Sequence, residues 1–556
     1  MVQKFLKERT WFEVGLLIVV VLLAIRSLAP LFVTGFPITH DGEGHVARAA
    51  NYAVALRQGH IPPRIAPTFS DGYGYPVFNF HYPLLSMVSA PLILVGIHPE
   101  WTVKVIIAGA WILLWLGILF YAQLVIKKLP AALIGLLIFM VSPYMYSLVY
   151  VRGSYGELLA SAACIWLLYW IEKRSFKADT RKKLRLTIVL LSALVLLAHN
   201  IYAVLLFPVS FLYALYRRGT ASIYQICTEF FLGFGLSAFF WIPALLEKKY
   251  IIFDEKFGSF YLDHFVEFGQ LLHSNVTYGV SAPGSADTLS YGVGVAGIVV
   301  FCVGILYSIY ALLTKKTVGK RIPFFMLAAI CFVLLMLPVS LPLWNTIFIL
   351  PYIQFPWRLL GPLAIVLSLL GAHFWVRTQQ IGKAAILVGV VVGVGYSIFW
   401  YWPTYAHYPR DYYLNYRQST TLLDELRPKT FSVEPGHLSP QQPQVIGKGS
   451  VTIEKWRGTY RRYTVNAQEG VTVVEPTMYF PGWKILANKK EVAVDAISEY
   501  EGQVAYTLPA GEYKIYSYMS QDTVPRILGN TFTLFSGIVL LWQLIKLLNY
   551  KRAAQT

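Results

Sequence analysis

Two stretches in one loop carry most of the residues able to do chemistry: Pro37-Ile-Thr-His-Asp-Gly-Glu-Gly-His45 and Asp71-Gly-Tyr-Gly-Tyr-Pro-Val-Phe-Asn-Phe-His-Tyr-Pro83. With the residues between them they gather His40, Asp41, Glu43, His45, Arg48, Arg64, Asp71, Tyr75 and His81. Carboxylates and imidazoles exchange protons with a reacting group, and guanidiniums recognise phosphate. The chain around the loop is mostly apolar, so the loop is where a membrane enzyme would keep its chemistry.

The element that positions this set is a helix expected over Glu43 to Gln58, with apolar positions near 46, 49–50, 53–54 and 56, stopped by Gly59 and Pro62-Pro63. Asp41 would sit at its amino end. Asp41, His45 and Arg48 are spaced i, i+4, i+7 and share a face if the helix begins early. Free amides at that end favour an anion, either the carboxylates or a ligand phosphate. Plain helix capping is the bland alternative for the acids. So many acids and imidazoles together with two glycines in one loop favour the functional reading.

Further polar residues are expected at the outer ends of apolar segments. Arg152 and Glu157 lie in Tyr150-Val-Arg-Gly-Ser-Tyr-Gly-Glu157, His199 precedes Asn200, and Arg358 ends Gln354-Phe-Pro-Trp-Arg358. Lys248 and Lys249 read as snorkelling anchors. Arg152 and Arg358 fall where topology does not call for basic residues, which points to phosphate binding. His199 is a candidate substrate contact or, equally, a buried hydrogen-bonding residue.

The composition requires a membrane. The chain has 556 residues, of which 56% are hydrophobic and 14% charged, and a water-soluble globule is excluded on those grounds. About twelve segments are long enough to span, near 11–33, 101–126, 131–150, 156–171, 184–199, 201–216, 223–246, 291–313, 322–340, 357–376, 383–403 and 526–547. Basic clusters at Lys4, Lys7 and Arg9, Lys127-Lys128, Lys173-Arg174 through Arg181 to Arg185, Arg217-Arg218, Lys315 to Arg321, Arg377 with Lys383, and Lys551-Arg552 then all fall on the cytoplasmic side, as do both termini. The net charge of +18 is on this reading a topology signal, and no nucleic-acid partner is expected. Pro83 to Gly96 is apolar but too short to span, so a juxtamembrane or re-entrant helix is expected there. The first apolar segment is read as an uncleaved span, since it exceeds a signal-peptide core. Cys164, Cys227, Cys302 and Cys331 all lie in spans and are expected to be small core residues without disulfides.

The expected architecture is an all-α polytopic membrane protein with a small extracytoplasmic β-sandwich-like domain. It divides into a transmembrane domain over 1–403 with the first outer loop at 35–100, a β-rich domain over 404–525, and a final span and tail over 526–556. Alternation in Val451-Thr-Ile-Glu-Lys-Trp, Tyr460-Arg-Arg-Tyr-Thr-Val, Val471-Thr-Val-Val and Glu512-Tyr-Lys-Ile-Tyr-Ser-Tyr marks the strands. The aromatic residues of that domain are read as core in preference to a glycan-binding surface.

This plan resembles the GT-C superfamily of membrane glycosyltransferases, in which the first outer loop carries an acidic catalytic residue and juxtamembrane helices. His40-Asp-Gly-Glu-Gly-His45, Gly59-His-Ile-Pro-Pro-Arg64 and Gly72-Tyr-Gly-Tyr-Pro-Val-Phe-Asn-Phe-His-Tyr-Pro83 are similar to prokaryotic membrane proteins labelled "6-pyruvoyl-tetrahydropterin synthase-related". Phe480-Pro-Gly-Trp-Lys484 and Pro509-Ala-Gly-Glu-Tyr513 are similar to the outer domain of YfhO-like proteins. Pterin chemistry itself is not expected, because no three-histidine zinc spacing is present.

The resemblance implies transfer of a sugar from a polyprenyl-phosphate donor to an extracytoplasmic glycan, lipid or protein at a prokaryotic plasma membrane. Asp41 with Glu43 would be catalytic, Asp41 taking the proton of the acceptor hydroxyl. Asp71 or Glu157 would be a second acid. Arg358, Arg152 and Arg64 would hold the donor phosphate, and His45, His81, Tyr75 and His199 would contact substrate. A divalent metal, Mg or Mn, is compatible with Asp41, Glu43, His45 and His81, although their spacing matches no strong metal motif. A transporter or flippase of lipid-linked glycans and a non-catalytic glycan assembly protein are the alternatives, although no internal repeat is seen.

Overall fold

The computed structural model describes residues 10–175, 186–494 and 498–553. The basic runs Lys4 to Arg9 and Arg181 to Arg185 lie outside the described residues.

Helices occupy each of the segments expected to span, but they differ in length and continuity. Seven are long and apolar enough to cross a membrane: Trp11–Phe32, Pro99–Ile126, Asn200–Arg218, Val295–Leu313, Pro356–Arg377, Gln380–Ile398 and Val524–Lys546. Three more segments are bent pairs, Leu129–Met140 with Pro143–Arg152 at 56°, Ile223–Leu236 with Ala238–Leu246 at 71°, and Arg321–Met336 with Pro338–Thr346 at 92°. Counting each pair as one span gives up to ten. Of the remaining two segments, Tyr155–Ser175 is one continuous helix and Leu186–Ala198 has 13 residues. Expected as juxtamembrane or re-entrant, the stretch 83–96 forms the 11-residue helix Leu84–Leu94, about 17 Å long and too short to span.

The chain forms two compact units. The first comprises Met1–Gly42, Lys104–Phe234 and Phe257–His407. Its helices approach closely where side chains are small, as in membrane bundles generally. A Cβ on Gly135 would lie 2.8 Å from the Ser368 carbonyl oxygen, and the Ser368 hydroxyl donates to the Gly135 carbonyl at 2.8 Å. Strand β1 (Phe36–Pro37) pairs with β2 (Tyr405–Ala406). Where helices Tyr155–Ser175 and Asn200–Arg218 end and Arg321–Met336 begins, the buried carboxylate of Glu172 meets Arg217 at 2.6 Å and Arg321 at 2.8 Å. Glu229 likewise holds Arg218 at 2.7 Å and also pairs with Arg174. Cys164 is buried as expected, whereas Cys227, Cys302 and Cys331 are exposed on their helices and do not belong to the core.

The second unit comprises Glu43–Val103, Gly235–Lys256 and Tyr408–Thr556. The first-loop helix runs from Gly42 to Arg57, close to the expected span. Val46, Ala49, Ala50 and Ala53 are buried on it, but so are His45, Arg48 and Asn51. Eight strands follow: β3 (Gln444–Ile446), β4 (Gly449–Trp456), β5 (Tyr460–Ala467), β6 (Val471–Met478), β7 (Trp483–Ala487), β8 (Lys490–Val492), β9 (Gln503–Leu508) and β10 (Gly511–Met519). They make an antiparallel five-stranded sheet of order β4-β5-β10-β7-β8 and a three-stranded sheet of order β3-β6-β9.

Glu475 on β6 joins the two sheets, accepting from Arg461 at 3.1 Å, Tyr463 at 2.6 Å and Ser517 at 2.8 Å. The Arg461 guanidinium lies 4.7 Å from the rings of both Trp456 and Trp483. Trp483 and Tyr463 are core, as expected, whereas Trp456 is half-buried and Tyr460, Tyr516 and Tyr518 lie half-buried outside the core.

Candidate functional site

Within the first unit, helix Pro143–Ser147 continues as one π-helical turn, Leu148–Arg152, and stops at Gly153, whose φ of +72° suits a residue without Cβ. Helix Tyr155–Ser175 starts immediately afterwards and carries Glu157 in its first turn. The Arg152 fork meets Glu157 with two bonds, Nη1 to Oε2 at 3.0 Å and Nη2 to Oε1 at 2.9 Å. Arg358, in the short turn Pro356–Leu359, brings Nε to 3.2 Å from Oε1 of the same carboxylate. His199 Nε2 lies 3.9 Å from that oxygen. Three residues singled out from the sequence, Arg152, His199 and Arg358, thus converge on the carboxylate of a fourth, Glu157.

The support around them is aromatic. The Tyr144 hydroxyl receives a bond from Arg152 at 2.9 Å and donates to Glu157 at 3.3 Å. The Trp357 ring lies 4.3 Å from the Arg152 guanidinium carbon, and its Nε1 donates to the Ser281 hydroxyl at 3.0 Å. Tyr202 donates to the Arg358 carbonyl at 3.2 Å. His199 caps helix Asn200–Arg218, its Nδ1 accepting from the Tyr202 amide at 3.2 Å. Tyr144, Tyr202 and Trp357 gave no signal in the sequence, where an aromatic in an apolar segment looks like core. Two guanidiniums around one carboxylate leave one excess positive charge with neutral histidine, a setting suited to a phosphate.

Asp41 is held beside this cluster by its backbone. The Asp41 amide donates to the Arg152 carbonyl at 3.0 Å, and the His40 amide donates to the Val151 carbonyl at 2.9 Å. The capping expected of Asp41 is done by Thr39, whose hydroxyl accepts from the Gly42 amide at 3.0 Å. The Asp41 carboxylate is exposed, and among the described residues it takes part in no hydrogen bond or ion pair. Beside it, desolvation lowers the pKa of His40, Asp41 opposes that shift and Arg152 adds to it. The His40 ring meets Tyr278 edge-on at 5.4 Å.

The other loop candidates belong to the second unit and fall into separate places. Glu43 accepts from the Tyr412 hydroxyl at 2.6 Å. His45 and His81 stand 5.5 Å apart between ring centroids, with Tyr82 bonded to His45 Nε2 at 3.4 Å. Asp71 accepts from the Gly436 amide at 2.8 Å. Tyr75 is buried, its hydroxyl 2.9 Å from that of Thr421. Arg64 ties segments of this unit together, reaching the Phe239 carbonyl at 2.9 Å, Gln521 at 3.0 Å and Asn79 at 3.4 Å. Asn79 also donates to Glu247 at 2.8 Å, which pairs with Arg526 at 3.1 Å. Among the described residues no group of three or more His, Cys, Asp or Glu is placed to hold a metal ion.

Seven or more membrane-length apolar helices and a β-rich C-terminal region define a multi-pass membrane protein. No protein-family model matches the chain, and no curated protein matches it. Among solved structures it is similar to the oligosaccharyltransferase of Archaeoglobus fulgidus, crystallised in the apo form, with a TM-score of 0.40 and 14% identity over 77% of this chain and 62% of that one. The match thus spans less than two thirds of that protein's length.

Proposed function

We propose that this protein is a GT-C-type membrane glycosyltransferase that moves a sugar from a polyprenyl-phosphate-linked donor to an extracytoplasmic acceptor. The observation that carries the reading is the exposed carboxylate of Asp41, fixed by its own amide to the carbonyl of Arg152, at the edge of the Arg152–Glu157–Arg358 cluster. The acceptor oxygen attacks the anomeric carbon as Asp41 takes its proton, and the bond from that carbon to the phosphate oxygen breaks. The polyprenyl phosphate leaves with the electron pair and gains charge, which Arg152 and Arg358 offset. Glu157 keeps both guanidiniums in place and is assigned here as their counter-ion. Twelve spans with both termini in the cytoplasm would put Asp41 and the β domain outside, where lipid-linked donors are the accessible sugar source. The residues of the first loop carry the resemblance to the pterin-synthase-labelled membrane proteins, and Phe480 to Lys484 with Pro509 to Tyr513 carry that to YfhO-like proteins; the plan these share supports a role in cell-envelope polysaccharide assembly.

The bent helix pairs are the observation that favours transport, because transporters bind cargo at interrupted helices. The breaks here, at Val141 and Ser142, at Ser237 and at Leu337, carry no ionisable side chain, unlike the ion and proton relays of such proteins. Radiolabelled sugar transfer from polyprenyl-phosphate donors by the purified protein tests the proposal. Wild type is expected to transfer and Asp41→Asn to lose about 100-fold or more with unchanged melting. Equal transfer by the variant, or none by a folded wild type supplied with acceptors, would overturn it.

A further inference from the structure

The five-stranded sheet has two unlike faces, because successive strand residues point to opposite sides. Arg461, Tyr463, Ile515, Ser517 and Met519 point inward and are buried. The opposite face of β5 and β10 presents half-buried Tyr460, Tyr516 and Tyr518 and exposed Arg462 and Lys514.

Tyr516 and Tyr518 are two apart on β10, with ring centroids 5.0 Å apart and planes within 20°. Tyr518 is the cross-strand partner of Tyr460, and Tyr516 of Arg462. The Arg462 guanidinium lies 5.4 Å from the Tyr516 ring, and Lys455 of β4 lies 5.2 Å from the Tyr460 ring. The result is a row of tyrosines, two of them stacked, edged by cations.

We propose that this face binds an acidic glycan laid across β4, β5 and β10. A pyranose ring has an apolar C–H face that packs on an aromatic ring, and the offset-stacked tyrosines hold each other's rings in place for a sugar to pack against their free faces and edges. Carboxylates on the sugars meet Arg462, Lys455 and Lys514. Lys484, on the same face, is paired with both Asp522 at 3.1 Å and Glu491 at 3.4 Å, which leaves that edge of the row with one net negative charge. Glu512 lies at the far end of β10, four residues from Tyr516, so the side of the row lined by Arg462, Lys455 and Lys514 is the cationic one. The three tyrosines are not needed by the core, which Tyr463 and Tyr506 fill with their hydroxyls 2.6 Å apart. This assignment requires no turnover and stands apart from glycosyl transfer.

The test is binding by the full-length protein in neutral-lipid nanodiscs. The probes are polygalacturonate oligomers, neutral dextran oligomers, polyglutamate and a single-stranded oligonucleotide, with flotation on phosphatidylglycerol vesicles as a separate arm. Saturable binding of polygalacturonate is expected, weakened about tenfold in Tyr516→Ala/Tyr518→Ala and retained within about twofold in Tyr516→Phe/Tyr518→Phe. Arg462→Gln is expected to weaken binding about threefold and to flatten its salt dependence. Failure to bind polygalacturonate, equal binding by the alanine variant, or equal binding of dextran, polyglutamate or the oligonucleotide would overturn the proposal. Tyrosine-dependent vesicle flotation without polygalacturonate binding would do so too, by making the face a membrane contact. Because no probe is a sugar donor, failure here and failure of the transfer assay are separate results.

Discussion

Glu157 and Asp41 are both acids near Arg152, yet their surroundings give them opposite consequences on mutation. Glu157 is fully buried and accepts the bidentate fork, so Glu157→Gln leaves two guanidiniums without their counter-ion. A loss of roughly 3 kcal/mol is expected in chemical denaturation, whereas Asp41→Asn, at an exposed carboxylate without a bond among the described residues, should cost almost nothing. A second residue-scale consequence is a pH dependence. Burial together with Arg526 and Arg64 pushes the pKa of His60 down to about 3 from 6.5. The folded state therefore binds the proton later than the unfolded chain, and the stability this provides is present above pH 6.5 and lost as pH falls toward 3. Melting should drop on going from pH 7 to pH 5 by the equivalent of about 2 kcal/mol. His60→Asn should flatten that dependence, and an unchanged profile in the variant would show that other groups govern it.

At the scale of elements, a glycine sets the fit between two helices. A Cβ on Gly361 would fall 2.0 Å from the Tyr202 hydroxyl, which donates to the Arg358 carbonyl. Gly361→Ala should thus cost about 1–3 kcal/mol through overpacking and disturb Arg358; restored melting in Gly361→Ala/Tyr202→Phe would confirm the clash with the hydroxyl. The sequence disclosed the pieces of this site better than its supports. Arg152, Glu157, His199 and Arg358 were conspicuous because charge is rare in apolar segments, and the helix after Asp41 was legible from its period and its glycine and proline stop. Hidden were Thr39 as the cap, which no spacing distinguishes from Asp41, and Tyr144, Tyr202 and Trp357, whose hydrogen-bonding ends do not show in an apolar pattern. The bends also escaped, since a break at Ser237 leaves the hydrophobic run continuous.

Across the whole molecule one device recurs: a buried glutamate flanked by arginines. In the sequence Arg174, Arg217, Arg218 and Arg321 look like topology markers alone, because their partners Glu172 and Glu229 are not spaced as helix neighbours; Arg218 is 11 positions from Glu229 and Arg321 is 149 from Glu172. Removing one member is expected to be worse than removing all. Glu172→Met should lower stability by roughly 3 kcal/mol, while Glu172→Met/Arg217→Met/Arg321→Met should recover most of it, as read from thermal melting. One helix, Tyr155–Ser175, carries such a glutamate near each end, Glu157 and Glu172, about 22 Å apart along its axis. It behaves as a shaft keyed at both ends. Adding one residue between the keys would turn one against the other by about 100°, so that only one could stay engaged. Point substitutions in the middle should be absorbed, whereas any single insertion or deletion there should unseat either the candidate site or the clamp at the opposite end.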